Sequence, residues 1–115
     1  MAQYLMLLHS EPRPDGAFTP QEAQEVTGRY MEWSQKMGAA GKLAGGNKLA
    51  NDSGKILSGK DKVSVVDGPF AETKEVIGGY FILEASDYDE AAELSKSCPH
   101  LALGGTVELR QIEGM

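Results

Sequence analysis

The residues best equipped for chemistry lie in one nine-residue stretch, Asp67-Gly68-Pro69-Phe70-Ala71-Glu72-Thr73-Lys74-Glu75. Three carboxylates, an ammonium and an aromatic ring stand there between two strand-like segments, and the Gly-Pro step stiffens the turn that aims them. Such a set suits proton transfer: a carboxylate accepts a proton and the ammonium steadies the anion that forms. The same residues also fit a plainer role, in which Asp67 closes its own turn by an Asx hydrogen bond and Glu72, Lys74 and Glu75 form a solvated face. A second candidate is Cys98-Pro99-His100. Its imidazole titrates near neutrality and serves acid–base work, or stands as a cation at a helix end or as a structural ring. His9 closes the first apolar run, where loops build sites, although a lone histidine there is commonly structural. Glu108 and Arg110 point the same way on the last strand and read either as an ion pair or as pocket polars. Cys98, before a proline on the inner face of a helix, reads as packing rather than as a nucleophile.

Several other chemistries lack their signatures. The glycine pairs have neither GxGxxG nor GxxxxGK[ST] around them, so no phosphate cradle and no cofactor are expected. The single cysteine has no CxxC or Cys/His ligand pattern, and His9, Asp67, Glu72 and His100 are far apart in sequence, so no metal is expected either. One cysteine forms no internal disulfide, which fits a cytoplasmic protein. The net charge is −6 and the lysines and arginines are scattered singly, which argues against a nucleic-acid partner. No apolar run nears the roughly 18 residues of a membrane span, and MAQYLMLLHSEPR does not read as a signal peptide, so no membrane partner is expected. A chain of 115 residues folds to about 6,100 Å² of surface and buries roughly 66% of what it exposes unfolded, enough for one domain over residues 1–115.

The elements that must position these residues can be read in turn. Gln3 to Leu8 is a buried first strand, followed by a loop with two prolines. Thr19-Pro20-Gln21-Glu22 has the makings of a capping box, and Ala23, Val26, Tyr30, Trp33 and Met37 form the buried stripe of a helix that stops at Gly38 or Gly41. Residues 42–62 read as short strands joined by turns, and Lys62 to Val66 as a β-branched strand. Gly78 to Glu84, apolar on both faces through Tyr80, Phe81, Ile82 and Leu83, is expected at the centre of its sheet. A second helix starts at Ser86 or Asp87, buries Ala91, Leu94 and Cys98, and is stopped by Pro99. Thr106 to Ile112 is the last strand. Two helices on one face of an antiparallel sheet make an α+β fold of the ferredoxin-like kind, and its apolar second face calls for a second copy, hence a homodimer.

The string VVDGPFAETKEVIGGYFILEA, followed by DYDEAAELSKSCPH and closing with GGTVELRQI, resembles the YCII-related proteins of the DGPF type over most of the chain. The resemblance implies a ferredoxin-like, dimeric α+β barrel of bacterial origin, found alone or beside sigma factors, with relatives suspected of His-Asp catalysis and one branch acting on a chlorinated hydroquinone. The signature falls on Asp67, Gly68, Pro69 and Phe70, its extension on Glu72, Thr73, Lys74 and Glu75. Gln111 stands where the family's closing pattern has proline. The first-helix histidine of the catalytic branch has no counterpart between Thr19 and Gly41, so a pair must be rebuilt from Asp67 with His100 or His9. The expectation is a small-molecule site in a cavity between two copies, performing cofactor-free isomerisation or elimination. Asp67 or Glu72 is the base there and His100 the acid or orienter. Lys74 or Arg110 binds an anionic or enolic group, Phe70 and Trp33 form apolar walls, and His9, Glu75 and Tyr80 complete the lining. The alternative is a non-catalytic regulatory or ligand-sensing dimer, an accessory to a sigma factor.

Overall fold

The computed structural model describes residues 2–11, 18–50, 54–67 and 76–114. Among these the elements run β1 (Ala2–Ser10), α1 (Pro20–Ala39), β2 (Leu43–Lys48), β3 (Lys55–Ser58), β4 (Ser64–Asp67), β5 (Val76–Ala85), α2 (Tyr88–Ser95), α3 (Pro99–Ala102) and β6 (Thr106–Gln111). Four strands form an antiparallel sheet in the order β2-β5-β1-β6. That is the ferredoxin-like order, with the β3–β4 hairpin inserted between the second and third strands of the sheet as a separate ribbon. The apolar run of β5 is explained by its place, since it has a strand on each side.

Helix α1 starts and stops as its residues dictate. The Thr19 hydroxyl accepts from the Glu22 amide at 3.1 Å and the Glu22 carboxylate accepts from the Thr19 amide at 3.0 Å, a complete capping box. At the other end the Lys42 amide donates to the Met37 carbonyl (2.9 Å) and the Gly41 amide to the Gly38 carbonyl (3.0 Å), a Schellman motif closed by Gly41 at φ 73°. The expected stripe is only half used. Trp33 and Met37 are buried and Tyr30 is half-buried, whereas Ala23 is exposed. Over residues 20–29 only Val26 is even partly buried. Asp87 caps α2 by accepting from the Glu90 amide at 2.8 Å. Pro99 does not stop that helix, which ends at Ser95; it opens α3, at a position where a missing N–H costs nothing. Cys98 therefore lies between the helices, buried.

The helices cover one face of the sheet. Tyr4, Met6, Leu8, Leu83 and Ala85 point to them and form the core with Trp33, Met37, Ala91 and Cys98. Trp33 meets the Phe81 ring edge-on at 5.0 Å and donates its indole N–H to Ser97 at 2.9 Å, so it is core and not the wall of a ligand site. Among the described residues no helix lies on the opposite face. Strand register lays its side chains in rows: Asn47, Tyr80, Leu7 and Glu108 in one, and Gly45, Ile82, Leu5 and Arg110 in the next. The β3–β4 ribbon pairs Lys55 with Asp67, Ile56 with Val66 and Leu57 with Val65, all of them exposed.

Candidate functional site

The polar groups of the open face gather at the end of β1. The pairing of β1 with β5 slips between Leu8 and His9, so that Leu8 opposes Gly79 and His9 opposes Ile77, while the ladder to β6 runs on unbroken with His9 opposite Thr106. The extra residue, Gly78, belongs to β5, so His9 keeps the alternation of β1 and stays on the open face with Leu5 and Leu7. The His9 Nε2 lies 2.9 Å from Glu108 Oε1, with the imidazole 19% and the carboxylate 44% exposed. An ionised carboxylate only accepts, so Nε2 carries the proton and Glu108 fixes the tautomer of the ring. The other carboxylate oxygen is 3.8 Å from the Arg110 guanidinium, itself 71% exposed. Tyr80, whose hydroxyl accepts from the Asn47 amide at 3.0 Å, stands in the same row as Glu108 with Leu7 between them. A histidine–carboxylate dyad, a cation and a half-buried phenol over leucine and isoleucine side chains can bind a flat oxygenated molecule and move a proton on it.

A second histidine holds this one in place. His100 Nε2 is 2.7 Å from the backbone carbonyl of His9, and its Nδ1 is 2.8 Å from the Tyr30 hydroxyl. A carbonyl cannot donate, so Nε2 carries the hydrogen and Nδ1 of the neutral ring accepts from Tyr30. The ring is 8% exposed. Gly105 packs flat against it, and a Cβ there would lie 2.1 Å from Nε2. Both nitrogens of His100 are thus engaged within the protein, one of them by the His9 backbone. Cys98, next to this cluster, has its thiol pushed up by burial, which keeps it protonated and unreactive.

One family model matches the chain throughout, that of the YCII-related domain, over residues 2–115. The chain belongs to the YCII-related family. This YCII domain is 26% identical over 95 residues to an uncharacterised protein of Rhizobium meliloti strain 1021, an overlap of 81% of this chain and 77% of the relative. Its fold is similar to that of 5-chloro-2-hydroxyhydroquinone dehydrochlorinase from Burkholderia phenoliruptrix AC1100, solved as a complex with 2,5-dihydroxybenzoquinone. The TM-score is 0.52 at 17% identity, covering 96% of this chain and 95% of that one.

Of the residues singled out from the sequence of this YCII domain, His9, Tyr80 and Arg110 share the open face. Asp67 does not join them. It is the last residue of β4, 85% exposed, and forms an ion pair with Lys55 across the hairpin. Phe70, Glu72, Lys74 and Glu75 lie outside the described residues. Glu108 is the group that sequence reasoning weighed without finding its partner. The alternation in TVELRQI put it on one face with Arg110, but only the pairing of the first strand with the last brings His9, 99 residues away, to its side.

Proposed function

We propose that the open face of the sheet is a small-molecule site, closed by a second copy of the chain, at which the His9–Glu108 dyad performs cofactor-free proton transfer of the isomerase or lyase type. The observation that carries this reading is the 2.9 Å contact between a half-buried imidazole and a carboxylate, flanked by Arg110, on a face that its own helices leave uncovered. The dyad takes a proton from an acidic C–H or O–H, and Arg110 neutralises the enolate or phenolate that results. The apolar Leu5, Leu7 and Ile82 favour a flat ring, and Tyr80 supplies a hydroxyl at its edge. The fold neighbour is in complex with 2,5-dihydroxybenzoquinone, which supports oxygenated six-membered rings as the class to try first. A face of leucine and isoleucine beside a catalytic pair needs a cover to exclude water, and a second copy supplies one with the fewest assumptions.

The test uses 2,5-dihydroxybenzoquinone as binding probe and solvent-deuterium exchange into enolisable cyclic diketones as the assay of proton transfer. Wild type is expected to bind and to catalyse exchange. His9→Ala and Glu108→Gln should each lose about 10²–10⁴-fold in rate, the span of a general acid–base group, and Arg110→Ala should weaken binding. Equal exchange by wild type and both dyad variants removes the enzyme reading. Binding without exchange favours the rival, a ligand-sensing regulatory dimer with a sigma factor as its partner.

A further inference from the structure

The β3–β4 hairpin is a part of the molecule that the site leaves unused, and it is built unlike the rest. Ile56 and Val66 occupy one face of the ribbon and Leu57 and Val65 the other. Their exposures are 45, 41, 63 and 56% respectively. No described helix or strand packs substantially on it. A two-stranded ribbon is marginal in water when it has nothing to lie against, so a ribbon apolar on both faces implies a surface that receives it.

Three quantities identify that surface. The accessible area of the chain is 8160 Å², against about 6,100 Å² for a compact monomer of this mass. The excess, about 2,000 Å², is area enough for one side of a large permanent interface. The radius of gyration, 15.8 Å, exceeds the roughly 13.4 Å of a compact domain this long, and the extents of 44 × 43 × 18 Å describe a slab that is thin in one direction. Charge allows a second copy as the partner. Residues 54–67 carry three lysines against two aspartates, a net +1 inside a chain of −6, so the remaining residues carry −7. The ribbon therefore meets no net repulsion from the acidic surface that a second copy presents at equal concentration.

The geometry points to the β3–β4 hairpin as an arm that lies on a second copy of this chain, burying Ile56, Leu57, Val65 and Val66 against it while Lys60 and Lys62 at its turn meet the acidic surface. This rests on the two-copy reading above and goes beyond it, because sheets that met face to face alone would leave the arms in water.

Sedimentation equilibrium of the full chain separates the two. Wild type should be dimeric, and Leu57→Lys with Val65→Lys should raise the dissociation constant about 100-fold, since each ammonium enters an apolar contact. The far-UV spectrum should be unchanged, because no other described helix or strand packs substantially on those side chains. A second variant, Lys60→Glu with Lys62→Glu, leaves the apolar residues alone; it should weaken the dimer about tenfold at low salt and abolish the tightening that wild type shows as salt falls. Hydrogen exchange in residues 54–67 should quicken when wild type is diluted into monomer. A dimeric wild type whose dissociation constant neither pair alters overturns the arm and keeps the two-copy site. A wild type that stays monomeric at every concentration overturns both.

Discussion

The contact between Gly105 and His100 offers a sharp test of how the site is held. Gly105 has no left-handed backbone conformation to protect, so Gly105→Ala adds only a methyl group, placed 2.1 Å from His100 Nε2 and 2.5 Å from Cδ2. Neither the strand nor the ring has room to absorb an overlap of more than 1 Å. The ring must rotate away, and it then gives up the 2.7 Å bond to the His9 carbonyl and the 2.8 Å bond to Tyr30. Buried hydrogen-bonding groups left unsatisfied cost about 1–3 kcal/mol each, so Gly105→Ala should cost about 2–5 kcal/mol. In the His100→Ala background the ring is gone and the same methyl group fills part of the space, so its cost should fall below about 0.5 kcal/mol, within the scatter of independent sites. Urea denaturation of the four proteins, at one fixed protomer concentration, measures the coupling directly. A Gly105→Ala penalty that is the same with and without His100 refutes the argument. The proton-transfer assay adds a second readout. Release of the His9 carbonyl loosens the bulge, so Gly105→Ala should lower the exchange rate even in conditions where it is fully folded.

Four further outcomes follow from the structure. Tyr30→Phe leaves His100 Nδ1 without its donor and should cost about 1–3 kcal/mol in urea melts. Thr19→Ala removes one half of the capping box and should cost about 1 kcal/mol. The acid limb of stability should involve Glu22 and Glu90, whose carboxyls are held below the usual range by the backbone amides of Thr19 and Ser86; lowered values mean stability that is present above the ordinary glutamate pKa of about 4.3 and is lost as pH falls below it. Glu22→Gln and Glu90→Gln should flatten that limb by bringing the stability at neutral pH down toward its acid value. The Cys98 thiol, 2% exposed, should react with an aromatic disulfide reagent only as fast as the protein unfolds, and reaction at full stability would show the pocket around it to be open.

Local rules carried most of the fold. The capping box at Thr19, the stop at Gly41, the cap at Asp87 and the apolar run of β5 each depend on neighbours in sequence, and each forms as its residues require. Pro99 shows the limit: a proline reads equally as a stop or a start, and only the turn of helix after it, closed by the Leu103 amide on the Pro99 carbonyl at 3.1 Å, decides. The glycine pairs were legible as signals without their cause. Gly46 is needed because a Cβ would lie 2.5 Å from Phe81 Cδ1, and Gly105 because of His100, both contacts made across the fold. The candidate site divides in the same way. His9, Tyr80 and Arg110 were found by type, but the partner of His9 comes from the opposite end of the chain, and the aspartate with the richest sequence surroundings is ion-paired on an exposed hairpin.

The position of β1 has a consequence for how the protein is made. Strand β1 lies inside the sheet, and both of its neighbours come much later in the chain, β5 from Val76 and β6 from Thr106. Synthesis at about 5–20 residues per second leaves β1 with two bare edges for roughly 4–20 s, during which its alternating Tyr4, Met6 and Leu8 have no sheet to join. The contacts of β1 with both neighbours, and the His9–Glu108 pair with them, form only once β5 and β6 have been made. Removal of β6 should therefore abolish folding altogether and leave an aggregating chain, because it strips the hydrogen-bonding partner from an interior strand and not from a rim.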